Sequence, residues 1–281
     1  WLDAGLNGYP PMPADWLTVA ELLGKYDNKV SINMAYVLGN SPVRVWAVGW
    51  NDRPPTGGEL EIMKSVVRES MEEGAWGIST GLDYPPGAYA STDELIVLSE
   101  AAARLGGFYH THTRSSLRSE GLMAPWEEAL DIGRRSGIPL HLTHYRQSAE
   151  GVGSHLDYLG LVDDARQAGL DVTFDCYPYP YSGTSATIAL PNWAKDGGPE
   201  RLMAALLDPY ERAKMKAEIP EDRLTESWLT NFNRIENSEY DGRRPVDIGE
   251  MRGQDPADAL FDMILTEELG VSIVGLGTNP Q

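Results

Sequence analysis

The chain has a single cysteine, Cys176, so no intrachain disulfide can staple it, and a reducing compartment is compatible with it. A lone cysteine of this kind reads as a small buried apolar residue rather than a reactive thiol. Apolar runs near the roughly eighteen residues of a membrane span are missing, and the opening residues, which show no charged-then-apolar pattern, set the expectation of a chain read without a leader. An initiator methionine is also missing, which sets the expectation of a mature form or an internal portion of a longer chain. Basic residues are scarce: 23 Lys and Arg stand against 42 Asp and Glu, a formal net charge of -19. That balance argues against a phosphate-backbone partner and favours small molecules, protein surfaces and cations. The expectation is a cytoplasmic protein, with the periplasm left open, that binds neither nucleic acid nor membrane.

What the 281 residues do hold, at 42% hydrophobic, is enough apolar material for one large core or two small ones. Helix and strand signals alternate along the first two thirds. A helix is expected from about Asp15, then a strand over Ile32 to Leu38 and a helical turn at Ser41-Pro42. Thr56 with Glu59, and Ser91 with Glu94, are capping-box pairs that open two further helices. Pro125 suits the first turn of another, which Gly137 ends. Thr80, His112, His144 and Cys176 close successive apolar runs, each 32 positions after the last. One strand and one helix per step is the period of a parallel sheet.

An α/β fold built as a TIM-like β/α barrel is therefore expected, with a doubly wound open sheet as the second choice. Five strands are read between Ile32 and Cys176, three short of closure. Beyond Tyr181 the period is lost. Residues 182–202 read as loop, helical pieces follow at Arg201 to Leu207, Pro209 to Glu218, Pro220 to Phe232 and Pro256 to Glu268, and a strand is read at Val271 to Gly277. The domain reading is a single incomplete barrel over 1–281, of which about 181–270 is an insertion or lid.

Four of the five histidines fall in two of these strands: His110 and His112 at i and i+2 on one face, His141 and His144 in the next strand. Neutral imidazoles gathered at one sheet edge suit a zinc site, and from spacing alone hydrogen-bonded core histidines explain them equally well. Gly77-Ile78-Ser79-Thr80-Gly81 matches the elbow of serine hydrolases, but that elbow leads directly into a helix and here Pro85 and Pro86 follow. Arg114 and Arg146 each stand two residues beyond a histidine, where a guanidinium can meet a substrate carboxylate or form a structural salt bridge. Tyr84, Tyr177, Tyr179 and Tyr181 offer amphipathic walls near the same edge.

Taken together and in order, GISTGLDYPPG at Gly77 to Gly87, THTR at Thr111 to Arg114, LTHYR at Leu142 to Arg146 and DCYPYPYSGTS at Asp175 to Ser185 resemble the N-acyl-D-amino-acid deacylases of the amidohydrolase superfamily. The resemblance implies an incomplete, distorted barrel lacking its first two strands and its last, with one or two zinc ions at its C-terminal mouth. It implies hydrolysis of the amide of a small N-acyl-D-amino acid. By this match His112 and His144 are metal ligands, while His110 stands where the family has a small residue. Tyr84, Arg146, Tyr177 and Ser185 fall on substrate-contacting positions. Arg146 replaces a lysine, and Asn40 a histidine. The family's first-strand histidine pair, its ligand cysteine and its general-base aspartate have no counterpart in this span, so no catalytic residue is assigned. A cyclic amidase of dihydroorotase or hydantoinase type, or an inactive portion with residual metal or ligand binding, are the alternatives.

Overall fold

The structure, a computed structural model, describes residues 15–147 and 155–276. The loop chemistry read before Asp15 and the glycine-rich loop read after Gln147 lie outside the described residues. The described residues divide into two compact units, one up to residue 178 and one from residue 179.

The first unit is a five-stranded parallel sheet in sequence order: β1 (Leu38–Gly39), β2 (Gly77–Gly81), β3 (Phe108–His112), β4 (Leu140–Leu142) and β5 (Val172–Phe174). Alternation along β3 explains which side chains face where. Tyr109 and Thr111 are fully buried, whereas Phe108, His110 and His112 point the other way and are half-buried. The buried face joins Ile78, Leu140, Leu142 and Val172 in one core with apolar residues of the flanking helices. The parallel register follows the period of 32 between β4 and β5 but not between β2, β3 and β4. Thr80 pairs with Thr111, and His110 with His141, each 31 positions apart, while Leu142 pairs with Phe174. The strand expected from Ile32 joins the ladder only at Leu38. Ile32 is 70% exposed, so the upstream residues bury little that would hold them to the sheet.

The helices are α1 (Val19–Tyr26), α2 (Asn40–Ala47), α3 (Gly57–Glu72), α4 (Thr92–Ala103), α5 (Ala124–Ser136) and α6 (His155–Gln167). A capping box between Thr18 and Glu21 starts α1 later than Asp15. The expected box at α4 is only half formed. Ser91 accepts from the Glu94 N–H at 3.2 Å, but the Glu94 carboxylate turns inward to a buried ion pair with Arg44 of α2. Gly137, at φ 70°, ends α5 in the left-handed conformation that glycine adopts without strain.

At the start of α3 Glu59 accepts the Thr56 N–H at 2.7 Å and binds Arg53 through two hydrogen bonds of 2.7 and 2.8 Å. The Arg53 bond first, then the cap, lowers the Glu59 pKa from 4.5 to about 2. A carboxylate depressed in the folded state adds stability above its unfolded pKa and loses it as pH falls to the folded value. We expect Glu59→Gln to unfold less steeply with acid than the parent between pH 4.5 and about 2. Thermal melts followed by circular dichroism test this, and parallel curves through that window contradict it.

The second unit holds a three-stranded antiparallel sheet of order β6-β8-β7, from β6 (Tyr181–Ser185), β7 (Ser227–Thr230) and β8 (Ser272–Leu276). Helices α7 (Pro199–Leu207), α8 (Pro209–Lys216), α9 (Glu221–Thr225), α10 (Pro245–Arg252) and α11 (Pro256–Thr266) accompany it. Two expectations change here. Tyr181–Ser185 is a strand rather than loop, and the helix read over Pro220 to Phe232 stops at Thr225, with Ser227–Thr230 extended. Pairing both segments with the apolar β8 overrides their weak local signals. A separate core around Phe261, Leu260, Ile264 and Ile273 supports this unit. No helix of the described residues is long and apolar enough to cross a membrane.

Candidate metal centre

Because all five strands run in parallel, their C-terminal ends lie along one edge of the sheet, where open α/β sheets and barrels gather ligand-binding groups. Asn40 lies just past β1, Asp83 and Tyr84 past β2, and His112 ends β3. His144 follows β4, and Asp175 and Tyr177 follow β5. The structure brings His112 and His144 together, with Nδ1 of the first 2.8 Å from Nε2 of the second. The other nitrogen of His112, Nε2, lies 2.9 Å from Asp83 Oδ2, and Asp83 Oδ1 accepts from the Ser115 N–H and hydroxyl at 2.8 and 2.7 Å. Burial opposes the Asp83 charge, but the bonds from His112 and Ser115 outweigh it and hold the carboxyl below its ordinary value. A carboxylate on the far nitrogen of a histidine fixes its tautomer and leaves the near nitrogen free to ligate.

His144 sits at φ 41°, in the left-handed region. Its N–H donates to Asp175 Oδ1 at 2.6 Å, and the neighbouring Tyr145 N–H reaches the Asp175 carbonyl at 2.7 Å. Together these bonds hold the strained turn. Burial, then the nearby His112 and Arg146, push the His144 pKa down to about 4, so near neutral pH its imidazole carries no proton charge. The donor chemistry fits a zinc ion: two imidazole nitrogens converge, His144 in its neutral form, with the His112 ring oriented by Asp83 and the His144 backbone held by Asp175.

Aromatic rings surround the pair. Tyr84 lies 5.1 Å from the His112 ring and Tyr177 lies 6.3 Å from that of His144, measured between centroids. The Arg146 guanidinium stacks on Tyr177 at 4.4 Å. Arg114 is engaged elsewhere: it donates to the Ala88 and Ala90 carbonyls, both at 2.6 Å, and contacts Glu128 at 3.4 Å. It clamps the loop that follows β2. Ser185 belongs to the second unit, where its hydroxyl is 2.8 Å from that of Thr187. Ser79 leads into a turn and a short 3-10 segment before α4, a strand-to-turn rather than strand-to-helix context. Asn40 is 3% exposed, and neither atom of its amide has a hydrogen-bond partner. Cys176, expected to be buried, is exposed, because it lies beyond the last paired residue of β5.

Sequence reading did not assign Asp83 or Asp175. Each lies inside a quoted motif, Asp83 two residues after Gly81 and Asp175 at the start of DCYPYPY, but the histidines they serve are 29 and 31 positions away. His141 also went unassigned. Its ring stacks on that of His110 at 5.2 Å and 3°, with Nε2 2.9 Å from Asp175 Oδ2.

No family model matches the chain. In sequence it is 31% identical over 198 residues to the N-acyl-D-glutamate deacylase of Alcaligenes xylosoxydans xylosoxydans, an alignment covering 65% of this chain and 40% of that protein. To the D-aminoacylase of the same organism it is 34% identical over 155 residues, covering 55% and 31% respectively. In structure, 97% of the chain superposes on 49% of the N-acyl-D-glutamate deacylase of Bordetella bronchiseptica with a TM-score of 0.72 and 25% identity. That protein was crystallised with zinc and a phosphonate mimic of the tetrahedral intermediate. The chain thus spans half or less of the length of each of these relatives. It resembles the N-acyl-D-amino-acid deacylases, enzymes of the amidohydrolase type, in sequence over 65% of its length and in fold over 97%.

Proposed function

We propose that this chain carries part of the site of a zinc-dependent amidohydrolase that cleaves N-acyl-D-amino acids to a carboxylate and a D-amino acid. The observation that carries the reading is the 2.8 Å approach of His112 and His144, with the Asp83 carboxylate on the far nitrogen of His112 and Asp175 on the His144 backbone N–H. When bound, zinc supplies Lewis acidity toward the scissile carbonyl and lowers the pKa of the attacking water. His112 and His144 are its ligands from this chain. Asp83 holds His112 in one tautomer, and Asp175 holds the His144 backbone. Tyr84 and Tyr177 wall the acyl substrate, and Arg146 offers its guanidinium to the amino acid carboxylate. Ser185 is assigned to that same carboxylate end. Over 1–281 the proposed organisation is an incomplete barrel with about 181–270 as an inserted region.

The test is zinc per chain by mass spectrometry after dialysis against a limiting zinc buffer, together with release of amino acid from N-acetyl-D-glutamate. In an intact enzyme that contains this chain, His112→Ala and His144→Ala should each reduce bound zinc and turnover in parallel, and wild-type values for both would remove the assignment. Asp83→Asn should weaken zinc binding about 10–100-fold through His112, while leaving the thermal midpoint of the zinc-free protein within a few degrees. Zinc affinity unchanged by that substitution would contradict the positioning role.

A further inference from the structure

His110, His141 and Asp175 form a second group whose donor atoms all lie within 4.8 Å of one another. We infer that this group is a binding site for a divalent transition-metal ion, separate from the His112–His144 pair.

The sheet itself builds the site. His110 and His141 are opposed residues on neighbouring parallel strands, and both point away from the buried core. Parallel neighbours project equivalent side chains in the same direction, which stacks the rings nearly flat, at 5.2 Å and 3°. Asp175, just past β5, closes the third side with Oδ2 at 2.9 Å from His141 Nε2. Two imidazoles and one carboxylate are the three-ligand set that zinc and other divalent first-row ions use while keeping a position open.

Hydroxyls stand behind both rings. Thr173 Oγ1 lies 2.7 Å from His141 Nδ1, and Thr143 Oγ1 lies 2.8 Å from His110 Nε2. A hydroxyl can donate or accept. His141 can therefore move its proton to Nδ1, keep the Thr173 bond and free Nε2 for an ion. Donors on one tetrahedral ion stand about 3.3 Å apart, so closing the group requires shifts on the order of 1 Å. The Asp175 side chain, 51% exposed, has room for that movement. A net charge of -19 favours cation uptake. Because Asp175 Oδ1 also accepts the His144 N–H at 2.6 Å, one carboxylate joins the two groups.

The inference is tested where the first site has been removed, so that its failure is distinct from failure of the proposed function. The protein carrying His112→Ala and His144→Ala is stripped with chelator and titrated with zinc alone. We expect it still to take up zinc, and expect His141→Ala added to it to weaken uptake at least tenfold. No uptake by the double variant, or uptake indifferent to His141→Ala, overturns the inference. A measurement on the wild-type chain guards against misfolded variants. With zinc, carbethoxylation of His110 and His141, read by peptide mass spectrometry, should slow roughly fivefold or more, since ligated nitrogens do not acylate. Equal rates with and without zinc overturn the inference.

Discussion

Arg44→Ala should destabilise the first unit by about 3–5 kcal/mol, the usual result of stripping one partner from a buried ion pair. The Arg44 and Glu94 side chains are 0% and 2% exposed and face each other between α2 and α4. Arg44 also donates to the Arg53 carbonyl at 2.9 Å. Alanine at position 44 leaves the Glu94 carboxylate buried without its cation, and water cannot reach it to compensate. Urea titration followed by tryptophan fluorescence measures the loss. A thermal midpoint lower by on the order of 10 °C should accompany it. Replacing both partners together, as Arg44→Met with Glu94→Leu, should recover most of the stability, because an apolar pair of similar volume has no charge to desolvate. A stability for Arg44→Ala within about 1 kcal/mol of the parent would show that the pair is not what joins these helices.

Gly77→Ala is the second large effect expected, at roughly 3 kcal/mol, the upper end of overpacking penalties. A Cβ built on Gly77 stands 2.0 Å from the Phe108 carbonyl oxygen and 2.8 Å from its nitrogen. Those are backbone atoms of the neighbouring strand, so no side chain can rotate aside. The two strands must separate or the register must slip. Either response moves Asp83 relative to His112, and the substitution should therefore lower zinc affinity as well as stability. Gly57→Ala is the control: nothing lies within 4 Å of its Cβ at the start of α3, and its stability should change by less than about 0.5 kcal/mol. Equal stability of the two variants would show that the β2–β3 spacing tolerates a methyl group.

The candidate site was legible in proportion to how local its signals are. The histidines could be read because each ends an apolar run, and the alternation of strand and helix put those ends on one edge. Arg146 could be read because it follows His144 within one motif, and Tyr84 and Tyr177 because each lies in a motif of its own just past a strand end. Asp83 and Asp175 could not, since an aspartate in a loop is common and only its partner marks it out. The same limit affected the capping boxes. Thr56 and Glu59 close theirs, whereas Glu94, with the same spacing, is drawn away by Arg44, 50 positions distant.

By itself the sequence determined the parallel α/β character of the first unit, the helix starts at Thr56 and Ser91, the stop at Gly137 and the resemblance that implies zinc. These follow from steric and hydrogen-bonding preferences acting over a few residues. Tertiary structure alone decided the register, which opposes His110 to His141 and His112 to Gly81, against a sequence period of 32. Register is chosen where Tyr109, Thr111, Leu140 and Leu142 pack into the buried face, and the histidines on the opposite face take the positions that packing leaves them. Four histidines close in sequence thus became two groups, one backed by Asp83 and one by Asp175. Which imidazole meets which carboxylate depends on the alignment of neighbouring strands, and no local pattern records that alignment.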